Sequence, residues 1–92
     1  MLEKVTEMVS RKAIAGAESI LVQSYFKKGA VVPLHEHRHE QVIYVLQGAV
    51  RARIDGEDVT VREGEVLVIP AGAPHQAEAI DDTFVLTIDR TP

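Results

Sequence analysis

Three of the four histidines in this 92-residue chain stand at alternate positions, His35, His37 and His39. In an extended strand, residues i and i+2 point to the same face, so His35 and His37 can direct both imidazoles at one point. Gln41 has the same parity and adds an amide if the strand is regular or bends locally. Neutral imidazole binds Mn, Fe, Ni, Zn and Cu. The spacing therefore suggests a site for one divalent transition metal of this group.

The fourth histidine, His75, follows a second turn-rich segment, Ala71-Gly72-Ala73-Pro74. Taken alone, His35 and His37 could equally belong to a solvated polar loop. A third imidazole delivered by a turn from a facing strand favours the metal site, because three imidazoles can leave positions open for water and substrate. The roles of two residues remain open at this stage. Gln41 could be a polar residue of a strand wall, and His39 a ligand, a neighbour of the ligands or an exposed residue.

Short aliphatic segments divided by glycine and aspartate turns surround these residues. Asp55-Gly56 is a two-residue hairpin signal, and Pro33 keeps the residue before it extended. Helical periodicity is hardly present, which predicts an all-β, single-domain antiparallel β-barrel or sandwich with little or no helix. Its strands are predicted at 19–26, 41–47, 49–54, 59–62, 66–69, 76–80 and 83–88.

Residues 1–18 are less regular, and their apolar positions Leu2, Val5, Val9 and Ile14 fit either a short helical turn or an edge strand. We expect one domain, 1–92, with a core barrel at 19–90 and an edge or dimerisation segment at 1–18. A chain this short has a small core and exposed sheet edges, so a homodimer is predicted. The aromatic residues are expected in the core or pocket wall: Tyr25, Phe26, Tyr44 and Phe84.

Composition excludes several classes of function. The net charge of −4 and the lack of a basic cluster argue against nucleic acid as a partner. The chain has no cysteine, so its metal ligands must be imidazole, carboxylate or amide. Charged residues interrupt the N-terminal region, which is unlike the apolar part of a signal peptide, and no run approaches the length of a membrane span. We therefore expect a cytoplasmic protein.

Two spaced motifs resemble the signatures of the cupin superfamily. The first runs from Gly29 through His35-x-His37 and Gln41 to Gly48, and the second runs from Gly64 through Pro70-x-Gly72 to His75. The short stretch between them is similar to that of small cupins. The resemblance implies a jelly-roll barrel with a metal near its mouth, held by His35, His37, Gln41 and His75. Two positions depart from the usual pattern, since Gln41 replaces a glutamate and Ala79 replaces an asparagine.

The resemblance, together with the neutral ligand set, implies a function. Three imidazoles and an amide leave the charge of a divalent ion uncompensated, which favours Lewis-acid chemistry on a carbonyl, uronate or enediol. We therefore expect a metal-dependent isomerase or lyase-like enzyme, or a dioxygenase, acting on a small oxygenated substrate. The run from His39 to Gly48 and the segment Asp81 to Leu86 also resemble small cupins of pectin degradation, which linearise unsaturated uronates.

In that group an acidic residue of the last strand is thought to take part in the chemistry. The predicted strand places Thr87 or Ile88 near this position, with Asp89 close by. Two further classes of function remain open. One is a non-catalytic, metal-containing module that binds or senses a small molecule, and the other is a metal-free structural protein.

Overall fold

The computed structural model describes residues 3–4 and 6–90, which form ten strands and no helix. The prediction of an all-β fold is confirmed. The strands are β1 (Glu3–Lys4), β2 (Val9–Ala15), β3 (Ser19–Phe26), β4 (Val31–His35), β5 (Gln41–Gln47), β6 (Ala49–Ile54), β7 (Glu57–Arg62), β8 (Val66–Ile69), β9 (His75–Ala79) and β10 (Thr83–Arg90). No helix among these residues has the length and apolar character needed to cross a membrane.

The strands form two antiparallel sheets. The six-stranded sheet has the order β1-β2-β3-β10-β5-β8, and the four-stranded sheet has the order β4-β9-β6-β7. Their inner faces enclose a small aliphatic core centred on Val45, Val61 and Val85. Four predicted strands match their observed bounds. The others shift at their ends: β7 begins at Glu57, β9 runs from His75 to Ala79, and β10 continues to Arg90.

The N-terminal segment forms strands β1 and β2 at one edge of the six-stranded sheet rather than a helical turn. Strand β2 pairs with β3 along its whole length, which puts Val9 opposite Phe26 and Ile14 opposite Leu21. Successive residues of a strand face opposite sides, so Val9 turns inward and Ile14 turns outward. Leu2 and Val5 lie outside the described residues. Of the two apolar positions described here, Ile14 therefore lies on the outer face of the sheet.

The outer face of the six-stranded sheet is unusually apolar. Tyr25 and Phe84 stack there with ring centroids 4.7 Å apart, and Tyr44 lies on the same face. Phe26 lines the interior cavity as expected. The placement of the other three aromatic residues in the core or pocket wall was wrong, because the strand register turns them outward. We call this surface the outer apolar face; its exposed members are Ile14, Tyr44, Leu46, Val66, Val68, Phe84 and Ile88.

Gly48 joins β5 to β6 at a point where a side chain has no room. Its φ is 93°, in the region that L-residues rarely adopt. A Cβ atom there would lie 2.6 Å from Thr83 Oγ1 and would overlap the carbonyl oxygen of Asp82. Thr83 is fully buried, and its hydroxyl accepts a hydrogen bond from the Ala49 N–H at 3.2 Å. The turn that ends the first motif is thus packed directly against the start of β10.

We expect Gly48→Ala to lower the free energy of unfolding by more than about 3 kcal/mol, since it adds a steric clash to the strained backbone angle. Gly56→Ala is the matched control. Gly56 has a φ of 80° but nothing within 4 Å of the added Cβ, so about 1–2 kcal/mol of backbone strain is expected alone. Urea denaturation of both variants measures the difference. Equal losses would show that the contact with Thr83 does not restrict this position.

Candidate metal centre

The histidines of the two motifs meet because their strands are neighbours. Strand β4 ends at His35 and β9 begins at His75, and the antiparallel register places these two residues opposite each other. His37 lies in the loop after β4. Its carbonyl oxygen accepts a hydrogen bond from the Gly72 N–H at 2.7 Å, which ties this loop to the turn that precedes His75. The φ of 76° at Gly72 explains why a glycine suits that turn.

The three imidazoles converge. Their ligand nitrogens lie within 4.8 Å of one another, and the ring centroids of His35 and His75 are 4.1 Å apart. The Nε2 atoms of His35 and His37 are separated by 3.0 Å. Two nitrogens that each lie about 2.1 Å from one ion are about 3.0 Å apart at a right angle and about 3.4 Å apart at a tetrahedral angle. The observed separation therefore suits two ligands of a single ion.

The protonation of two of these rings follows from their hydrogen bonds. His35 Nδ1 lies 2.7 Å from the carbonyl oxygen of Pro33, and His75 Nδ1 lies 2.9 Å from that of Ala73. A carbonyl oxygen only accepts, so each Nδ1 carries the hydrogen and each neutral ring has its lone pair on Nε2. A backbone carbonyl that receives the other ring N–H is the usual support for a metal-binding histidine.

His75 Nε2 is the clearest sign of a missing partner. His75 is only 4% exposed, and its Nε2 has no hydrogen-bond partner among the described residues. A buried polar atom left without a partner is costly, and native structures contain few of them. A metal ion that accepts this lone pair would remove the cost. The donor set therefore fits a divalent transition metal.

His37 is held in the form that binds metal. Burial lowers the pKa of His37 below its usual value, and the nearby His35 and His75 rings lower it further, while the Asp89 carboxylate acts in the opposite direction. The neutral imidazole is therefore favoured near neutral pH, and it is the neutral form that offers a lone pair to a metal.

Gln41 faces the same interior from the start of β5. Its Nε2 donates to the Asp89 carboxylate, at 3.1 Å from Oδ1 and 3.4 Å from Oδ2. Because the amide nitrogen is used in this way, Oε1 is the atom left to act as a ligand or as an acceptor. The side chains of His39 and Glu40 are placed differently. His39 is half-buried but outside the three-histidine group, and Glu40 is exposed.

Asp89 is the functional candidate that sequence reasoning did not place securely. The predicted last strand stopped at residue 88, but β10 runs to Arg90. Thr83, Val85 and Thr87 are buried at alternate positions of that strand, so two-residue periodicity continued by one step puts Asp89 inside. The sequence did not carry this signal, because its more apolar alternate set is Phe84, Leu86 and Ile88, which predicts the opposite face as the inner one.

A family model described as the cupin domain matches residues 23–89, most of the chain. This chain belongs to the cupin family. The resemblance suggested by the two motifs is thus confirmed.

Two solved structures resemble this cupin over its full length. KdgF from Halomonas sp. superimposes with a TM-score of 0.92 at 29% identity, covering 100% of this chain and 86% of that one. An RmlC-like cupin from Shewanella frigidimarina gives a TM-score of 0.91 at 25% identity, covering 100% of this chain and 84% of that one. The similarity to KdgF agrees with the likeness to small cupins of pectin degradation.

Curated relatives match shorter stretches. The 3-hydroxyanthranilate 3,4-dioxygenase of Bos taurus is 35% identical over 60 residues, which cover 61% of this cupin and 21% of the dioxygenase. An uncharacterized protein of Methanocaldococcus jannaschii is 27% identical over 77 residues, covering 83% of this chain and 62% of that protein. This cupin thus spans about a fifth of the dioxygenase.

The histidines open into a cavity of about 500 Å³ between the two sheets. This volume is in the range of sites for small molecules. Most of its wall is aliphatic, and its polar lining includes the three histidines, Gln41 and Asp89 at one end and Arg11, Ser24 and Thr87 on the wall of the six-stranded sheet. Ala79, which replaces an asparagine of the usual second motif, adds no polar group to this wall. The arrangement offers a set of ligand atoms and a separate carboxylate on one interior space.

Proposed function

We propose that this cupin is a metal-dependent enzyme with isomerase or lyase-like activity on a small oxygenated substrate. The observation that carries the proposal is the meeting of three imidazole rings with the Asp89 carboxylate in one cavity. A metal site alone would serve structure or sensing. A carboxylate that stands outside the ligand set, facing the same space, supplies a group for proton transfer.

In the proposed site, His35, His37, Gln41 and His75 hold one divalent metal ion, which would be Mn, Fe, Ni, Zn or Cu. When bound, the ion would act as a Lewis acid that polarises a carbonyl oxygen, with no anionic ligand to offset its charge. The chain itself orients these ligands. The carbonyl oxygens of Pro33 and Ala73 fix two rings through their Nδ1 hydrogens, and Asp89 fixes the Gln41 amide.

Asp89 is the proposed proton carrier. Its carboxylate is half-buried, and two hydrogen bonds from one amide hold it toward the interior. It can accept a proton from a carbon next to a carbonyl and return it to a neighbouring atom, which is the basic step of isomerisation through an enediol. Gln41 then has two roles, because the same amide offers its oxygen to the metal and its N–H to the base.

The substrate class follows from the comparisons and from the cavity. Similarity to KdgF, together with the motif likeness to small cupins of pectin degradation, favours an unsaturated uronate. The second candidate is a dioxygenase, supported by the 35% identity with 3-hydroxyanthranilate 3,4-dioxygenase. The neutral Gln41 favours the first candidate, since an anionic ligand would better stabilise a higher oxidation state of the metal.

The test is turnover by protein loaded in turn with each candidate metal, using unsaturated uronates, small diketones and catechol-like compounds. We expect conversion of a uronate that is lost on metal removal and restored on reloading. Oxygen consumption with a catechol-like compound would instead support the dioxygenase. Stoichiometric metal with binding but no turnover of any compound would support a binding or sensing module.

We further propose a homodimer formed through the outer apolar face, with the cytoplasm as its location. Seven large apolar side chains lie exposed on this one sheet surface, and exposed apolar patches of this kind mark interaction sites. Two such sheets can pack face to face. Ile14 belongs to the face, so the dimer would bury part of residues 1–18. The sequence expectation had rested instead on Leu2, Val5 and Val9, of which Val9 faces inward and the other two lie outside the described residues.

Tyr44→Glu tests the assembly. Tyr44 lies on β5, between β10 and β8, and a carboxylate placed there inside an apolar interface lacks a partner, so we expect the dimer Kd to rise at least 10-fold. Sedimentation across the micromolar range measures it. Thr60→Glu on the outer surface of the four-stranded sheet is the matched control and should leave the dimer intact. A wild-type protein that sediments as a monomer throughout this range would refute the proposal.

A further inference from the structure

Strand β2 places an arginine on the cavity-facing side of the six-stranded sheet, where its side chain stays exposed. Arg11 opposes Ser24 on β3, and Ser24 opposes Val85 on β10, so the three side chains share the inner face of the six-stranded sheet. Arg11 lines the same cavity as the histidines. Its neighbours on the strand, Ser10 and Lys12, face the other side. A guanidinium on the cavity side of an otherwise aliphatic wall is not needed for packing.

The register partner of Arg11 on β1 is Glu3. Within residues 6–90 no carboxylate lies at ion-pair distance from its guanidinium, and the ion pair found there joins Arg53 to Asp58. Two other acidic residues line the cavity. Asp89 is bound by Gln41, and Glu78 has the opposite strand parity to His75 and Ala77, so it faces outward and is exposed.

Two buried hydroxyls lie between Arg11 and the histidines. Ser24 is 7% exposed and Thr87 is 8% exposed, and both line the cavity. Neither hydroxyl forms a hydrogen bond with another described residue. Neither is completely buried, because His75 Nε2 is the completely buried side-chain polar atom without a partner among the described residues. Both therefore contact the cavity space. Serine and threonine hydroxyls in this setting can donate to and accept from a hydroxylated ligand.

The register aligns these groups in a diagonal row. Asp89 and Thr87 are alternate residues of β10, Ser24 lies on the next strand, and Arg11 lies on the strand beyond. The row crosses two strand spacings, about 10 Å, and about 13 Å along the strands. Arg11 stands at one end of this row, and the metal ligands stand beside Asp89 at the other. We call these four residues the polar row.

We infer that the polar row binds a hydroxylated carboxylic acid, with its carboxylate on Arg11 and its hydroxyls on Ser24 and Thr87. The reacting carbon is then presented to Asp89 and the histidines. The planar guanidinium matches a carboxylate with two parallel N–H bonds. This inference rests on the proposed function and names the group that selects its substrate class. Arg11 lies outside the region matched by the family model, which begins at residue 23.

The binding test compares an acid with its neutral counterpart. Glucuronate and glucose share their ring hydroxyls and differ in the carboxylate, so NMR titration of the metal-loaded protein with each isolates the contribution of the charge. We expect glucuronate to bind about 10- to 100-fold more tightly than glucose. Arg11→Gln is expected to remove that preference, to leave glucose affinity and metal content unchanged, and to keep the thermal midpoint. Arg11→Lys is expected to retain part of the preference, since it keeps the positive charge but loses the two parallel N–H donors of the guanidinium.

Lys12→Gln is the matched control, because it removes the same charge from the neighbouring, outward position. It should leave the preference for glucuronate intact. Ser24→Ala and Thr87→Val should instead weaken both sugars by a similar factor, about 2- to 10-fold, since each removes a hydroxyl bond and no charge.

The inference is overturned if Arg11→Gln binds glucuronate as the wild type does, if it weakens both sugars equally, or if the wild type shows no preference. These results are separable from the proposed activity. A preference that depends on Arg11, without turnover of any uronate, supports the inference and refutes the enzyme. Turnover that is unaffected by Arg11→Gln supports the enzyme and refutes the inference.

Discussion

His75→Ala is expected to lower metal affinity at least 100-fold while the barrel stays folded. The substitution removes the buried Nε2 that has no protein partner, and the protein loses a hydrogen bond only from Nδ1 to Ala73. Loss of a residue that hydrogen-bonds to a metal ligand typically lowers metal affinity 10- to 100-fold, so loss of the ligand itself should lower it further. His35→Ala is expected to behave in the same way, because His35 faces His75 across the two motifs.

Elemental analysis after dialysis against a weak chelator, with the thermal midpoint measured in parallel, distinguishes loss of metal from loss of fold. His39→Ala is the control, since His39 lies in the same loop but outside the group of three. It should retain most of the metal. If both His35→Ala and His75→Ala kept the wild-type metal content, the pairing of the two motifs in one site would be wrong.

Asp89→Asn is expected to reduce kcat by about 10²- to 10⁴-fold in protein saturated with metal. The change keeps the size of the side chain and removes the negative charge, and the proton transfer assigned to this residue is worth a factor of that order. Because Asp89 supports the Gln41 amide, metal affinity should also fall, by about 10- to 100-fold, so kcat is measured at saturating metal. KM should change less than kcat if the carboxylate acts mainly in the transition state.

Glu40→Gln is the matched control for this variant. Glu40 is adjacent to Gln41 in sequence but exposed, so its neutralisation removes a nearby charge without touching the interior. We expect its kcat to stay within about threefold of the wild type. Turnover by Asp89→Asn at a similar level would remove Asp89 from the mechanism and leave the metal site without an assigned base.

The strands predicted correctly are those bounded by recognisable turn residues. Gly48 and the Asp55-Gly56 pair bound β5 and β6, and the predicted bounds of both strands were confirmed. The convergence of His35 and His37 likewise follows from local parity. The contribution of His75 to the site depends on a second strand, β9. Its register opposite His35 is set by sheet pairing, which no local sequence pattern contains.

The features that sequence could not supply depend on tertiary pairing. Strand β10 extends past residue 88 because Asp89 and Arg90 pair with the beginning of β3. Strand β2 exists because β3 offers it an edge, and its own apolar residues Val9 and Ile14 face opposite sides. In β5, apolar residues occupy both faces from Val42 to Leu46, so the pattern did not reveal that Tyr44 lies outside.

The central claim is that one divalent metal ion is held by His35, His37, His75 and Gln41. Crystals of protein purified without chelator, with the metal first identified by elemental analysis, allow an anomalous difference map at the absorption edge of that metal. We predict one strong peak per chain, with the three histidine Nε2 atoms at roughly 2.0–2.2 Å for a zinc-like ion. A map with no peak among these histidines, from protein that carries metal elsewhere or carries none, would contradict the account.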